Sequence, residues 1–250
     1  MTALRSSFSF PRIDKDPMAA SDFDIDSLAK YLHLTPEQVK KMANRDRLPG
    51  RKIGGQWRFA KEEIHIWLEQ KIGAANDNEL HEVEKVLRQH DSDFDSLLIA
   101  NLLGEDRVAL PLHAKTKNSA IESMCEFAAN SGALWMPKEM ADSIRKREEL
   151  HPTALENGVA LLHPRRPQPS YFGESFLALG ITSSGIPFGG PRGCLTDTFF
   201  LIASAEEVIH LKVLAKISRL IQKAGFLNEL RHAGDPTEAF RLIKNAEQSL

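Results

Sequence analysis

The sequence predicts an α/β chain in two unequal parts. A small unit of helices and one hairpin comes first. A larger α/β layer follows, with a central mixed sheet flanked by helices. Three observations predict this. In residues 23–72, apolar residues at helical spacing surround two short strand-like runs on either side of Gly54-Gly55. From Ser96 onward, helical and strand periodicities alternate, as in layered α/β structures. Between them, Gly73-Ala74-Ala75-Asn76-Asp77-Asn78 is small and polar and reads as a linker. A length of 250 residues accommodates two such parts, because domains commonly run to roughly 100–200 residues.

The elements follow in order. Residues 1–21 mix Ser, Pro and charge without a period and read as a flexible arm. Residues 22–73 form the first unit. Asp26 precedes an apolar helical pattern ending in Leu32 and is the expected N-cap. Thr35 caps the next helix, Pro36 opens it, and Gln38 completes a capping box. Strands are expected over Arg51–Phe59, then a helix from Lys61 to about Lys71. Leu28, Leu32, Val39, Leu48, Ile53, Trp57 and Phe59 are the expected core. Residues 74–95 are linker plus a connecting helix over Glu79–Gln89, and residues 96–250 are the second unit. Within it, Val108–Leu112, Val159–Leu162, Phe176–Ile181 and Asp197–Ile202 read as strands. Lys117–Ser131, Pro137–Leu150, Ala205–Ala224 and Pro236–Gln248 read as helices.

Composition narrows the function classes. With 42% apolar and 26% charged residues, the chain can bury enough surface to fold, so disorder is not its main state. The longest apolar runs, such as Thr198–Ala203, fall far short of the ~20 residues of a membrane helix. Phe8 and Phe10 alternate with serines, so no secretory signal is read, and a cytoplasmic location is expected. Cys125 and Cys194 are too few for a disulfide scaffold or a cysteine-rich zinc site. No cofactor and no metal are expected, and a zinc site of His151, His163 and His210 lacks a fourth ligand and a recognisable spacing.

Charge is unevenly placed. Between Lys40 and Lys61 stand eight Lys or Arg residues and one acid, Asp46, a local charge of +7 in a chain of net −2. Duplex DNA binds such clusters by release of condensed counterions. A cationic helix, loop and hairpin is the layout of a winged helix-turn-helix, with one helix in the major groove and the wing along the backbone. The residues Leu28-Ala29, Leu32, Thr35-Pro36-Glu37-Gln38-Val39, Leu48-Pro49-Gly50 and Gly54-Gly55-Gln56-Trp57-Arg58-Phe59 resemble the excisionase-type, MerR-like DNA-binding family. That resemblance implies that Thr35, Gln38, Lys41, Arg45 and Arg58 face double-stranded DNA. Lys40, Arg47, Arg51 and Lys52 are further phosphate contacts. One such module covers a short half-site, so specificity calls for a homodimer or a protein partner. The same wing could instead dock a protein.

The stretch from Arg147 to His163 carries the second signal. A helix ends, a loop crosses, Asn157-Gly158 turns the chain, and the apolar strand Val159–Leu162 delivers His163 before Pro164. An imidazole there sits on a rigid element and is expected to point toward solvent, where its neutral nitrogen can act as a nucleophile. His210 lies early in a long helix, and Arg147 ends another; a second His and an Arg can hold and neutralise a phosphoryl group. Leu102-Leu103-Gly104-Glu105-Asp106-Arg107-Val108, Ala114-Lys115-Thr116-Lys117, Arg147-Glu148, Asn157-Gly158-Val159-Ala160, His163 and His210-Leu211-Lys212-Val213-Leu214-Ala215 resemble the enzyme IIA domain of the fructose/mannitol class of the bacterial phosphotransferase system, type 2, with its nitrogen-related branch. The resemblance implies that His163 is the phosphorylated histidine, His210 its helper and Arg147 the active-site arginine. It implies phosphoryl transfer from the phosphocarrier protein HPr or a paralogue, and onward transfer to a IIB protein.

The chain departs from that family's loop. It has Pro152-Thr153-Ala154 where Ser-Thr-Gly is usual, Glu156 for a Gly, and Leu162 for the Pro before the histidine. A carboxylate at Glu156 would repel an incoming phosphoryl group, and Arg165 and Arg166 would offset it. Within these residues no IIB-like or membrane segment is read, so sugar transport by this chain alone is not expected. The two resemblances together imply a DNA-binding regulator carrying a phosphohistidine signal rather than a turnover enzyme. A relay component with a protein-docking N-terminal unit, and a IIA fold retired to an interaction module, are the alternatives.

Overall fold

A computed structural model describes residues 22–32, 34–74 and 97–249. The expected arm, the connecting helix over Glu79–Gln89 and most of the linker lie outside the described residues. The chain divides into two compact units, Met1–Trp67 and Leu68–Leu250. Among the described residues, no helix is long and apolar enough to cross a membrane.

The first unit opens with β1 (Asp22–Phe23), α1 (Ile25–Leu32) and α2 (Pro36–Ala43), followed by β2 (Arg51–Ile53) and β3 (Gln56–Ala60). The cap of α1 is Asp24, not Asp26. Its Oδ1 accepts the Ser27 amide at 2.8 Å, while Ser27 Oγ accepts the Asp24 amide at 2.9 Å. That reciprocal pair starts the helix two residues earlier than its apolar pattern suggests. For α2 the expected capping box is present, with Thr35 and Gln38 bonded reciprocally at 3.2 and 2.7 Å. The strands form an antiparallel sheet in the order β1-β3-β2, with Arg51 opposite Arg58 and Ile53 opposite Gln56. Leu28, Leu32, Val39, Leu48 and Phe59 are buried as expected. Ile53 is not: it stands at the hairpin tip, 54% exposed. Trp57 is only half-buried, stacked on Phe59 at 5.9 Å, because just the inner end of this face reaches the core.

The helix α3 (Lys61–Ala74) runs without interruption through the unit boundary, and its residues from Leu68 belong to the second unit. It therefore continues through Gly73 and Ala74, where the linker was expected to start.

The second unit continues with α4 (Ile99–Leu103), β4 (Val108–Ala109), α5 (Lys117–Asn130), α6 (Pro137–Leu150) and β5 (Val159–Leu162). Then come β6 (Phe176–Pro187), β7 (Leu195–Ala203), α7 (Glu207–Gln222), α8 (Phe226–Arg231) and α9 (Pro236–Glu247). The sheet order is β4-β6-β7-β5, with β4/β6 and β5/β7 parallel and β6/β7 antiparallel, so the sheet is mixed. Side chains of β5–β7 interlock with Ile121, Met124 and Cys125 of α5 and Met140 and Ile144 of α6 to form the core. Every residue of β5 is buried, which explains its unbroken apolar run. The strand expected over Val108–Leu112 shortens to two residues, while β6 extends past Ile181 after a register shift that skips to Ile186.

Two local devices fix the loop before β5. Gly158 has φ +81°, and a Cβ there would lie 2.8 Å from Arg231 Nη2 and 3.2 Å from the Leu195 carbonyl. Only glycine fits that turn. On the other side, the buried Glu148 carboxylate accepts the Thr153 amide at 3.1 Å and the Thr153 hydroxyl, and pairs with Lys117 at 2.9 Å. The crossing from α6 to β5 is thus clasped at both ends.

Candidate functional site

Three elements of the second unit bring Arg147, His163 and His210 together. Arg147 lies in the last turn of α6, His163 directly follows β5, and His210 lies in the first turns of α7. The two imidazole centroids are 4.7 Å apart. Arg147 Nε donates to His163 Nε2 at 3.2 Å, and its Nη1 donates to the His151 carbonyl at 2.8 Å. His163 Nδ1 is 2.8 Å from the Leu161 carbonyl. A carbonyl can only accept, so the proton sits on Nδ1, and Nε2 is left as the nitrogen with the lone pair.

A fourth residue completes the cluster, and sequence reasoning missed it. Glu69, on α3 beyond the unit boundary, places Oε2 2.9 Å from Arg147 Nη2 and 3.2 Å from His163 Nε2. Its Oε1 lies 3.2 Å from His210 Nε2. Burial alone would raise the Glu69 carboxyl. The charge of His163 and hydrogen bonds from His163 and His210 outweigh it, and the group is held far below the usual carboxylate range. His163 faces two ways at Nε2: toward Arg147 it must accept, toward Glu69 it must donate. Only one can hold at a time: with the proton on Nδ1, Nε2 accepts from Arg147, and the Glu69 oxygen stands against it without a proton between them.

This cluster corrects the expected exposure of His163. The ring is 2% exposed, because Arg147, His210 and Glu69 close over it. Arg147 is buried as well, 3% exposed. Glu156 stands exposed at the rim, with Arg192 3.8 Å away. His151 does not join the cluster; its ring bonds the Pro152 carbonyl at 2.9 Å. The site opens into a cleft of about 610 Å³ lined on its apolar side by Leu155, Leu161, Leu214 and Ile221. Ser218 Oγ also lines it, buried and without a hydrogen-bond partner.

Two ligand classes can be weighed for such a cluster. Donor atoms of Glu69, His163 and His210 lie within 4.8 Å of one another, a set that could hold a cation. The Arg147 guanidinium touches two of these three residues, which places a fixed positive charge inside the same cage. Without Glu69, the donors Arg147 Nη2 and His210 Nε2, beside the lone pair of His163 Nε2, form a seat for an anion.

In the first unit, eight of the nine DNA-contact candidates, Thr35, Gln38, Lys40, Lys41, Arg45, Arg47, Arg51 and Lys52, are exposed, and Arg58 is half-buried. Several already have partners. Thr35 and Gln38 form the capping box. Arg51 pairs with Asp22 at 3.0 Å and Arg58 with Asp24 at 3.7 Å, while Lys52 sits 5.2 Å over the Trp57 ring. Lys40, Lys41, Arg45 and Arg47 follow the outer side of α2 and the turn after it.

Comparison with known proteins places this geometry. Residues 101–246 match the family model "Phosphoenolpyruvate-dependent sugar phosphotransferase system, EIIA 2". Residues 23–72 match a helix-turn-helix domain model. A nitrogen regulatory protein of Bradyrhizobium diazoefficiens is 28% identical over 149 residues, covering 58% of this chain and 94% of that protein. Its Escherichia coli counterpart is 22% identical over 157 residues, covering 61% and 93%. Among solved structures, a putative IIA from Streptococcus mutans superposes with TM-score 0.52 at 20% identity, over 61% of this chain and 97% of that one. The mannitol IIA of Escherichia coli, solved in complex with phosphorylated mannitol IIB, superposes with TM-score 0.51 at 22% identity, over 57% and 97%.

Proposed function

We propose, from the premise that the chain belongs to the phosphoenolpyruvate-dependent sugar phosphotransferase system EIIA 2 family, that it is a DNA-binding regulator signalled by phosphorylation of His163. The observation that carries this reading is the convergence of Arg147 and His210 on the nucleophilic Nε2 of His163, in a chain that also holds a helix-turn-helix domain. The donor is the phosphohistidine of a phosphocarrier protein of the HPr type. The His163 Nε2 lone pair forms the new N–P bond. The donor's N–P bond breaks, and its electron pair stays on the donor imidazole. The proton on His163 Nδ1 remains there, held by the Leu161 carbonyl, so charge balances without a further base. Arg147 and His210 offset the phosphoryl charge, roughly −1.5 to −2 by analogy with other phosphoresidues.

Lys41, Arg45, Arg47, Lys40, Arg51, Lys52 and Arg58, with Thr35 and Gln38, are the proposed DNA contacts. A second copy or a IIB-type acceptor would supply the remaining partner. The test is intact-mass spectrometry of the full chain after incubation with phosphorylated phosphocarrier protein, beside His163→Ala. One acid-labile phosphoryl adduct, lost in the variant, is the expected result. No adduct on the wild type or on any variant that keeps His163 would sink the phosphorylation reading. DNA binding is then measured across a salt series, where each phosphate contact contributes a slope of about −0.9. Binding without salt dependence, or none, would instead favour a protein-docking first unit.

A further inference from the structure

We infer that Glu69 is an internal stand-in for the phosphoryl group, so that insertion of its carboxylate and phosphorylation of His163 exclude one another. This rests on the phosphorylation reading above and adds to it a device that this chain builds from α3.

The carboxylate takes up the donors an anion would want. Arg147 Nη2 lies at 2.9 Å from Oε2, and His210 Nε2 at 3.2 Å from Oε1. Its Oε2 also stands 3.2 Å from His163 Nε2, the atom that must meet phosphorus. A phosphoryl group bonded to that nitrogen would set its oxygens where the carboxylate now sits. The two anions cannot share the cage: the Glu69 side chain is 8% exposed, and like charges at contact distance in so dry a place repel strongly. Glu69 therefore blocks the nucleophile by occupying its approach.

Release of Glu69 acts on α3. The side chain belongs to a helix that continues, without a break, from Lys61 in the first unit. When phosphate takes the seat, the Glu69 side chain leaves it and this turn of α3 loses the ion pair that ties it to Arg147. The state of the His163 site is thereby communicated to α3 through the backbone that carries Glu69.

The experiment uses the full chain with phosphorylated phosphocarrier protein as donor, comparing wild type, Glu69→Gln and Glu69→Ala. Initial rates of His163 phosphorylation should rise on the order of tenfold in both variants, the scale of losing one charge-assisted hydrogen bond. Glu69→Gln keeps the shape and tests charge alone. In parallel, hydrogen exchange of the wild type should show faster exchange at the Leu68–Ile72 amides after phosphorylation, and no change in His163→Ala treated alike. An adduct formed only in the Glu69 variants would support the inference in its strongest form. Equal rates in all three chains, with unchanged exchange at Leu68–Ile72, would overturn it while leaving phosphorylation intact. No adduct on any chain would overturn both readings together.

Discussion

The buried pair of Arg147 and Glu69 offers a quantitative test of the site. The side chains are 4% and 8% exposed, with an N–O separation of 2.9 Å. At an effective dielectric of ~20 their gross attraction is about 6 kcal/mol. Desolvation of both ions takes back much of that, and removing one partner of such a pair costs about 3–5 kcal/mol because the other is left buried and unpaired. In Arg147→Met, His163 and His210 still face Glu69, so the cost should lie near the lower end, about 3 kcal/mol. Glu69→Met leaves Arg147 its bonds to the His151 carbonyl and to His163, so about 2 kcal/mol is expected. Removing both charges together should cost less than the two changes separately, with a coupling energy of about 2 kcal/mol. The assay is native-state hydrogen exchange of the β7 amides, which report opening of the second unit itself. Single costs below about 0.5 kcal/mol that simply add would refute the claim that these charges meet in a dry cage.

Other expectations can be checked independently. The Glu69 carboxyl titrates below its unfolded value, so its stabilisation is present above about pH 4.3 and is lost as the pH falls below that. Thermal melts of wild type and Glu69→Gln should therefore converge as the pH is lowered from about 5.5 to 2.5, and a gap that widens on acidification would contradict this sign. Burial pushes the Cys125 thiol up to about 12, whereas Cys194 is half-buried in a loop. Alkylation of the native chain at mildly alkaline pH should give one adduct, at Cys194, and two in urea; rapid native labelling of Cys125 would show that the α5 face opens. Gly158→Ala should cost about 1–3 kcal/mol, since the turn demands positive φ and lacks room for a Cβ; an unchanged melting temperature would mean the turn is built otherwise.

The sequence displayed the scaffold of the site more fully than the site itself. Strand β5 and helix α6 fall on the residues expected for them, Val159–Leu162 and Pro137–Leu150. Their signals are local: an apolar run fenced by Asn157-Gly158, and a Pro at the first helical turn. Short elements escaped, among them α8, whose six residues span barely two turns of pattern. Asp24 was passed over because a capping box is visible only when Ser27 is read as its partner. Glu69 was invisible for a different reason. It lies 94 residues from His163 and 141 from His210, and nothing in Leu68-Glu69-Gln70 sets it apart from Glu62 or Glu63. The buried residues of this stretch, Ile64, Leu68 and Ile72, keep to one stripe at i, i+4 and i+8, so the pattern accounts for them without reference to Glu69. The same long-range packing buried His163, which its place at a strand end had suggested would be open to solvent.

The uninterrupted course of α3 bears on how the protein can be dissected. A cleavage between Trp67 and Leu68 would sever a helix in mid-run, leaving up to four carbonyls unbonded on one side and four amides on the other. Fragments ending there would each begin or finish in a frayed stub, and their stabilities would not add up to that of the parent. A first unit prepared for separate study should retain the whole of α3 to Ala74. A second unit made to lack Glu69 would be the unlatched form of the Arg147, His163 and His210 cluster, useful for that very reason.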